Sequence, residues 1–339
     1  MLATKSTGMA SWSIGGRMRP TVIFGVFLSL IFVYRFAYHL NNDEAQSQLK
    51  TPTAEPLTIV KTKTIEYTVT HTSTSISIST TTEYASPTST LDPTKLAFMV
   101  ETRPLPHLPL QLTHMTSVIP PEWTFKFMGS NTSINYLLGF HHLRDLVASN
   151  KLTLVPLPSH WDVSSRESIS QMFTDPELYK SLSPAEHLLV FQPDSIFCTK
   201  APTTLNDFIQ YDYIGAPWST TSKYGGNGGL SLRRVSSILK VLEKQRRTPG
   251  DGQLEDLWLS IRINNSEGSK MANATVSKSF SVESVWDEAP LGYHIGWLGV
   301  HHEQIWDKPE YVSHIMNYCP EVKIILGMKL DNDKPQGVS

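Results

Sequence analysis

The run Leu188-Leu-Val-Phe-Gln-Pro-Asp194-Ser195 constrains the fold more than any other, because its successive apolar residues leave a strand no face to turn toward water. Strands buried on both faces belong to parallel sheets covered by helices, and ligands of such open sheets gather outside the carboxyl ends of the strands. Asp194 stands at such an end. Two readings remain open from this stretch alone: a carboxylate and a hydroxyl facing a crevice, or a turn that Pro193, Asp194 and Ser195 merely open.

The surrounding pattern supports a sheet of this kind. Residues 96–100 and 152–157 read as strands, separated by a helix-like stretch over 134–148. Further strands follow at 187–192, 213–216 and 229–232. Val235, Ile238, Leu239 and Leu242 then recur at helical spacing, and Lys244, Arg246 and Arg247 suit the carboxyl end of that helix. Strands alternating with helices imply an α/β fold with a mostly parallel sheet flanked by helices.

The N-terminal third has a different character. From Thr21 to Leu40 the chain is apolar apart from Arg35 and His39, and about 20 helical residues span roughly 30 Å, the thickness of a bilayer core. Lys5, Arg17 and Arg19 precede this segment while Asp43 and Glu44 follow it, so the positive-inside bias keeps the N-terminus cytosolic. The competing reading is a cleaved signal peptide, which the long leader and the lack of a convincing small-residue cleavage site disfavour. Thr and Ser then fill about half of the positions from Thr51 to Thr90, the composition of an O-glycosylated stem too poor in bulky apolar residues to order itself. The expected organisation is a cytosolic tail over 1–20, a transmembrane anchor over 21–40, a stem over 41–94, a globular domain over 95–327 and a flexible tail over 328–339.

Charge and cysteine content narrow the partners. A net charge of −2 gives no electrostatic reason to expect nucleic acid. The two cysteines, Cys198 and Cys319, allow one bridge in an oxidising compartment or two buried thiols. Sequons at Asn131, Asn264 and Asn273 agree with a secretory route.

Other parts of the globular region carry chemistry-bearing residues. The string from Tyr224 to Gly229 is rich in glycine and runs into the apolar strand Leu230-Ser-Leu232; glycines let backbone approach a ligand closely, and exposed N–H groups bind anions. A hairpin turn without a ligand is the bland alternative. Glu255 and Asp256 open a helix, where the macrodipole favours acidic residues, yet one of the two carboxylates can also face a cleft as a general base. His294 follows a Gly-containing turn, and a neutral imidazole beside a carboxylate and phosphate oxygens suits a divalent ion. Trp218, Trp258 and Tyr213 could stack on sugar rings or serve as ordinary core. The neighbouring pairs His141/His142 and His301/His302 are assigned no site, because adjacent residues on a helix point apart.

Glu101-Thr-Arg-Pro104, Phe191-Gln-Pro-Asp-Ser195, Tyr211-Asp-Tyr-Ile-Gly-Ala-Pro-Trp218, Gly226-Asn-Gly-Gly-Leu-Ser-Leu-Arg233 and Pro290-Leu-Gly-Tyr-His294 together resemble a mainly fungal domain of unknown function that is similar to GT-A glycosyltransferases. The resemblance covers about residues 95–302 and implies a GT-A-like, Rossmann-like sheet. It implies a donor site made of Glu101, Arg103, Asp194, Ser195, Gly226, Asn227, Gly228 and Gly229, with Asp194 in the surviving D-x-D position. Glu255 and Asp256 correspond to the x-E-D pair that supplies the catalytic base, Asp256 first. Asp194 and His294 correspond to the ligands of a divalent metal, Mn or Mg. Gln192 departs from the pattern, standing where a full D-x-D has its second carboxylate.

The expectation is therefore a type II membrane glycosyltransferase of the Golgi or another secretory membrane. It would move a sugar from a nucleotide-sugar donor to a glycan or glycoprotein hydroxyl, with inversion. The main rival is a non-catalytic lumenal carbohydrate-binding or scaffolding protein with the same fold, for which Gln192 argues. A glycoside hydrolase drawing its two carboxylates from Asp194 and the acidic pair is the weaker alternative.

Overall fold

Alternate residues of each strand face opposite sides, and here both sides are apolar. In strand β4 (His187–Phe191), Leu188 and Val190 enter one buried cluster while Leu189 and Phe191 enter another. Strand β1 (Asp92–Val100) divides Leu96 and Phe98 from Ala97 and Met99 in the same way. The computed structural model describes residues 91–296 and 303–326, and within them the two clusters lie on the two faces of one six-stranded sheet. Burying a side chain such as Phe98 or Leu189 stabilises the domain by about 1.5–3 kcal/mol.

The sheet runs β3-β2-β1-β4-β7-β6, with β2 Trp123–Gly129, β3 Leu152–Pro156, β6 Tyr213–Gly215 and β7 Leu230–Arg234. The pairings β3–β2–β1–β4 are parallel, whereas β7 is antiparallel to both β4 and β6. The fold is thus mixed α/β with a mostly parallel sheet, as expected. The reversal at β7 has a local correlate: the connection 216–229 between β6 and β7 contains no helix, and parallel returns usually cross over through one. That reversal matters for the site. In register Phe191 faces Leu230, so the start of β7 lies beside the end of β4.

Helices cover both faces. Helices α1 (Leu108–Val118), α2 (Asn131–Leu138) and α3 (His141–Ala148) lie on the side of Leu189, and α4 (Arg166–Phe173), α5 (Pro176–Ser181), α6 (Val235–Lys244) and α7 (Glu255–Asn264) on the side of Leu188. The expected single helix over 134–148 is two, broken at Gly139 and Phe140, and α2 starts earlier because the Ser130 hydroxyl caps the Ser133 N–H. A second, three-stranded sheet joins β5 (Ser195–Phe197), β9 (Gly292–His294) and β8 (Ser281–Val282), which follows helix α8 (Ala274–Phe280). The Gly-containing stretch expected to be a turn before His294 is strand from Gly292 on, and His294 ends that strand, paired with Ser195 across an antiparallel ladder.

Helix α10 (Pro309–Tyr318) follows α9 (Glu303–Trp306), and Cys319 just beyond it forms a disulfide with Cys198. Of the alternatives left open for the cysteines, the bridge is the one found. Among the described residues no helix is long and apolar enough to cross a membrane; the segment 21–40, the stem as far as residue 90 and the tail after 327 lie outside them, whereas positions 92–94, expected to end the stem, already belong to β1.

Candidate active site

The ends of β1 and β4 and the beginning of β7 come together at one edge of the large sheet. The turn between β4 and β5 is held there by a residue the sequence reading passed over. Gln111 of α1, fully buried, donates from Nε2 to the carbonyls of Gln192 at 3.0 Å and Ser195 at 2.6 Å. A buried glutamine on an otherwise apolar helix face was the available signal. The ring of His107 adds a contact from Nε2 to the Pro193 carbonyl at 3.1 Å.

Asp194 emerges from this turn only 5% exposed. Its Oδ1 lies 3.3 Å from Nε2 of His294, and the other ring nitrogen, Nδ1, lies 3.1 Å from Oε1 of Glu283. Both distances are those of ion pairs, yet neither ring nitrogen achieves hydrogen-bond geometry. Burial alone would lower the His294 pKa, but the charges of Asp194 and Glu283 outweigh it and push it up to about 10. Glu283 did not figure in the sequence reading. It follows the short strand Ser281-Val282 directly, as Asp194 follows β4 after two residues, so a carboxylate just beyond a strand marks both.

The glycine loop touches this cluster closely. A side chain at Gly229 would overlap the His294 ring and Oε1 of Gln192, and one at Gly228 would collide with Glu255 and Arg233. Glycine is required by close approach at both positions. The expected cradle of free amides is not found, however. Asn227 N–H donates to the Ala216 carbonyl, Gly228 N–H to Oδ2 of Asp256 at 3.1 Å, and Gly229 N–H to Oδ1 of Asn227 at 2.7 Å. Those groups are spent within the protein, so the loop from Gly226 to Gly229 offers shape and proximity in place of an anion nest. Ser195 is similarly spent: fully buried, its hydroxyl donates to the Gln192 and Gly229 carbonyls and ties the turn to the loop.

The acidic pair separates into two roles. Glu255 is bound bidentately by Arg233, with Nη1 and Nη2 each 3.0 Å from a carboxylate oxygen. Burial pushes its carboxyl upward and Arg233 opposes the shift. Such a group is not free to take a proton from an acceptor. Asp256 is partly exposed and accepts from the N–H groups of Gly228 and Leu257, and burial raises its pKa, the direction that suits a general base. The charge of Glu283 reaches it, which places it within electrostatic range of the His294 cluster.

Glu101 and Arg103 stand just past β1. The guanidinium is paired with the Glu101 carboxylate at 2.8–2.9 Å, and this hydrogen bonding raises the Arg103 pKa; Asp194 contributes too, so the pair lies within reach of its field. Arg103 remains 47% exposed at its side chain and open to a ligand anion. Of the aromatic candidates, Tyr213 and Trp258 are core, whereas Trp218 is exposed and lies against Gly225 of the loop.

The metal expectation is met only in part. Among the described residues no group of three or more His, Cys, Asp or Glu side chains is arranged to hold an ion. Asp194 and His294 do fit as a pair: two cis ligands at about 2.1 Å from one octahedral ion lie about 3 Å apart, close to their 3.3 Å separation, and the ring nitrogens lack hydrogen bonds.

No curated protein matches the chain. Solved structures similar to parts of it include glycosyltransferases. A mannosyltransferase from Pyrobaculum calidifontis, in complex with GDP-Man and Mn2+, is 11% identical over 50% of this chain and 52% of its own, with a TM-score of 0.35. Core-mannan synthase A from Aspergillus fumigatus, in a Mn/GDP form, is 10% identical over 50% of this chain and 69% of its own, with a TM-score of 0.36. The glycosyltransferase GlyE of Streptococcus pneumoniae is 13% identical over 72% and 66%, with a TM-score of 0.39. The chain thus spans about half the length of the first of these, and likeness at this level describes the neighbours and not the chemistry of this chain. Residues 151–294, which run from just before β3 through Asp194, the glycine loop and the acidic pair to His294, match the family described as protein of unknown function (DUF5672).

Proposed function

We propose that the chain is a nucleotide-sugar-dependent glycosyltransferase with a GT-A-like domain, anchored in a secretory membrane by residues 21–40 with that domain in the lumen. The observation that carries this reading is the buried Asp194–His294–Glu283 cluster at the carboxyl ends of the parallel strands, where both ring nitrogens of His294 stand at ion-pair distance from a carboxylate but outside hydrogen-bond geometry. Folding leaves such groups unsatisfied at a cost of about 1–3 kcal/mol each, which a ligand with complementary charge would offset. A donor diphosphate beside Arg103 and Asp194, with a divalent ion held by Asp194 and His294, is such a ligand. The ion would stabilise charge on the leaving diphosphate.

Asp256 is the base in this reading: it would take the proton from an acceptor hydroxyl of a glycan or glycoprotein as that oxygen attacks the sugar, with inversion. Glu255 is removed from the catalytic role by Arg233. The exposed face of Trp218 at the loop would pack against a sugar ring. The Cys198–Cys319 disulfide supports an oxidising compartment and hence the secretory route, with the Golgi as the expected address.

One observation favours the rival, a non-catalytic carbohydrate-binding protein. Gln192 replaces a second carboxylate, and its Oε1 lies where a side chain at Gly229 would meet it, inside the site. Thermal shift of the full-length protein with a panel of nucleotide sugars and Mn2+ separates the two. At 100 times its dissociation constant a donor stabilises by about 2.7 kcal/mol. A shift with one nucleotide sugar, accompanied by release of its nucleotide when acceptor is added, supports the transferase; shifts with free glycans alone support the rival.

A further inference from the structure

Glu283 is 6% exposed, a costly setting for a carboxylate unless its partners are good ones. Strand β8 runs parallel to β9 with Val282 opposite Tyr293, so one further step along each brings Glu283 beside His294. Its Oε1 meets two different elements there. It lies 3.1 Å from Nδ1 of His294 and accepts a hydrogen bond from Nδ2 of Asn227, also at 3.1 Å. Asn227 in turn accepts from Gly229 N–H, and Gly229 lies against the imidazole. The ring is thereby enclosed, with Glu283 at one nitrogen, the loop alongside, and Asp194 at the other nitrogen.

An imidazole presents different chemistry from its two nitrogens, and a carboxylate at one of them decides which is turned to a ligand. We propose that Glu283 is a positioning residue of the donor site: it holds the His294 ring with Nε2 presented beside Asp194 and locks the glycine loop to that ring through Asn227. The proposal rests on the reading of Asp194 and His294 as the diphosphate and metal edge of the site. A purely structural Glu283 would instead affect stability and leave ligand affinity in the folded protein unchanged.

The test is calorimetric titration of Mn2+ into the full-length protein with GDP, UDP or ADP present, at a temperature where far-UV circular dichroism shows every variant folded. Glu283→Gln keeps the size and an acceptor for Asn227 but loses the charge facing Nδ1. Its Mn2+ affinity should fall about 10- to 100-fold, the usual effect of losing a carboxylate behind a ligating histidine. Glu283→Asp restores the charge and should recover part of the loss; should Glu283→Gln not fold, this variant carries the test with a loss of about 10-fold. Wild-type affinity in folded Glu283→Gln, or in folded Glu283→Asp where that variant stands alone, would overturn the positioning role and leave the donor-site reading standing. Absence of Mn2+ binding by the wild type with all three nucleotides would overturn both.

Discussion

The glycine loop has buried charge on two sides, and the two sides differ in how completely that charge is paired. On one side Arg233, with no side-chain exposure, donates to Glu255, to the Ser231 hydroxyl and to the Gly228 carbonyl, and lies over the rings of Phe173 and Tyr213 at 4.9 and 5.4 Å. On the other, His294 stands between Asp194 and Glu283 without a hydrogen bond at either nitrogen. The first arrangement is finished when the chain folds. On the proposed reading, the second is completed by the donor and its metal ion. The charged groups on the two sides therefore differ in completeness of pairing and not in burial, although residues of both kinds belong to the same motifs.

This contrast is sharpest within the acidic pair, where adjacent residues fall on opposite sides of it. Asp256→Asn should lower the transfer rate by about 10² to 10⁴ while melting temperature and donor affinity hold, as loss of a general base does. Initial rates at saturating donor measure this. An active Asp256→Asn enzyme would remove the base assignment and erase the functional half of the comparison.

Glu255→Gln should behave in the opposite way. Removing one partner of a buried ion pair leaves the other charge uncompensated and costs about 3–5 kcal/mol, visible as a lower urea midpoint. What activity remains should be near wild type per folded molecule. If Glu255→Gln keeps its stability and loses turnover, the two sides have been assigned the wrong way round.

A smaller effect distinguishes them by pH. The His294 pKa is raised to about 10, so its folded-state stabilisation is complete below the ordinary histidine value near 6.5 and is lost as pH rises through 10. In the ligand-free protein the melting temperature should decline between pH 7 and pH 10 more steeply for wild type than for His294→Gln. Parallel profiles would show that the cluster does not hold a charged ring.

The strands were legible because a buried parallel strand must be apolar on both faces, and β4 is so along its length. Asp194, the glycine loop and His294 were legible as separate motifs, and the sheet brings them together. Glu283 and Gln111 were not, since each acts on an element far along the chain: Gln111 reaches Ser195 and Glu283 reaches Asn227. The occupied loop amides were hidden for the same reason, because Asp256 and Ala216 are their acceptors. Composition could indicate that glycines stood close to something. It could not indicate that they stood close to the protein's own charged side chains.

The most direct measurement of the central claim is the donor-induced thermal shift in Asp194→Ala set beside that in Glu255→Gln. If the unfinished side is the donor site, Asp194→Ala should lose a shift that in wild type corresponds to about 2.7 kcal/mol at 100 times the dissociation constant, while Glu255→Gln, though melting lower, should retain it. An undiminished shift in Asp194→Ala, or its loss in Glu255→Gln alone, would contradict the account.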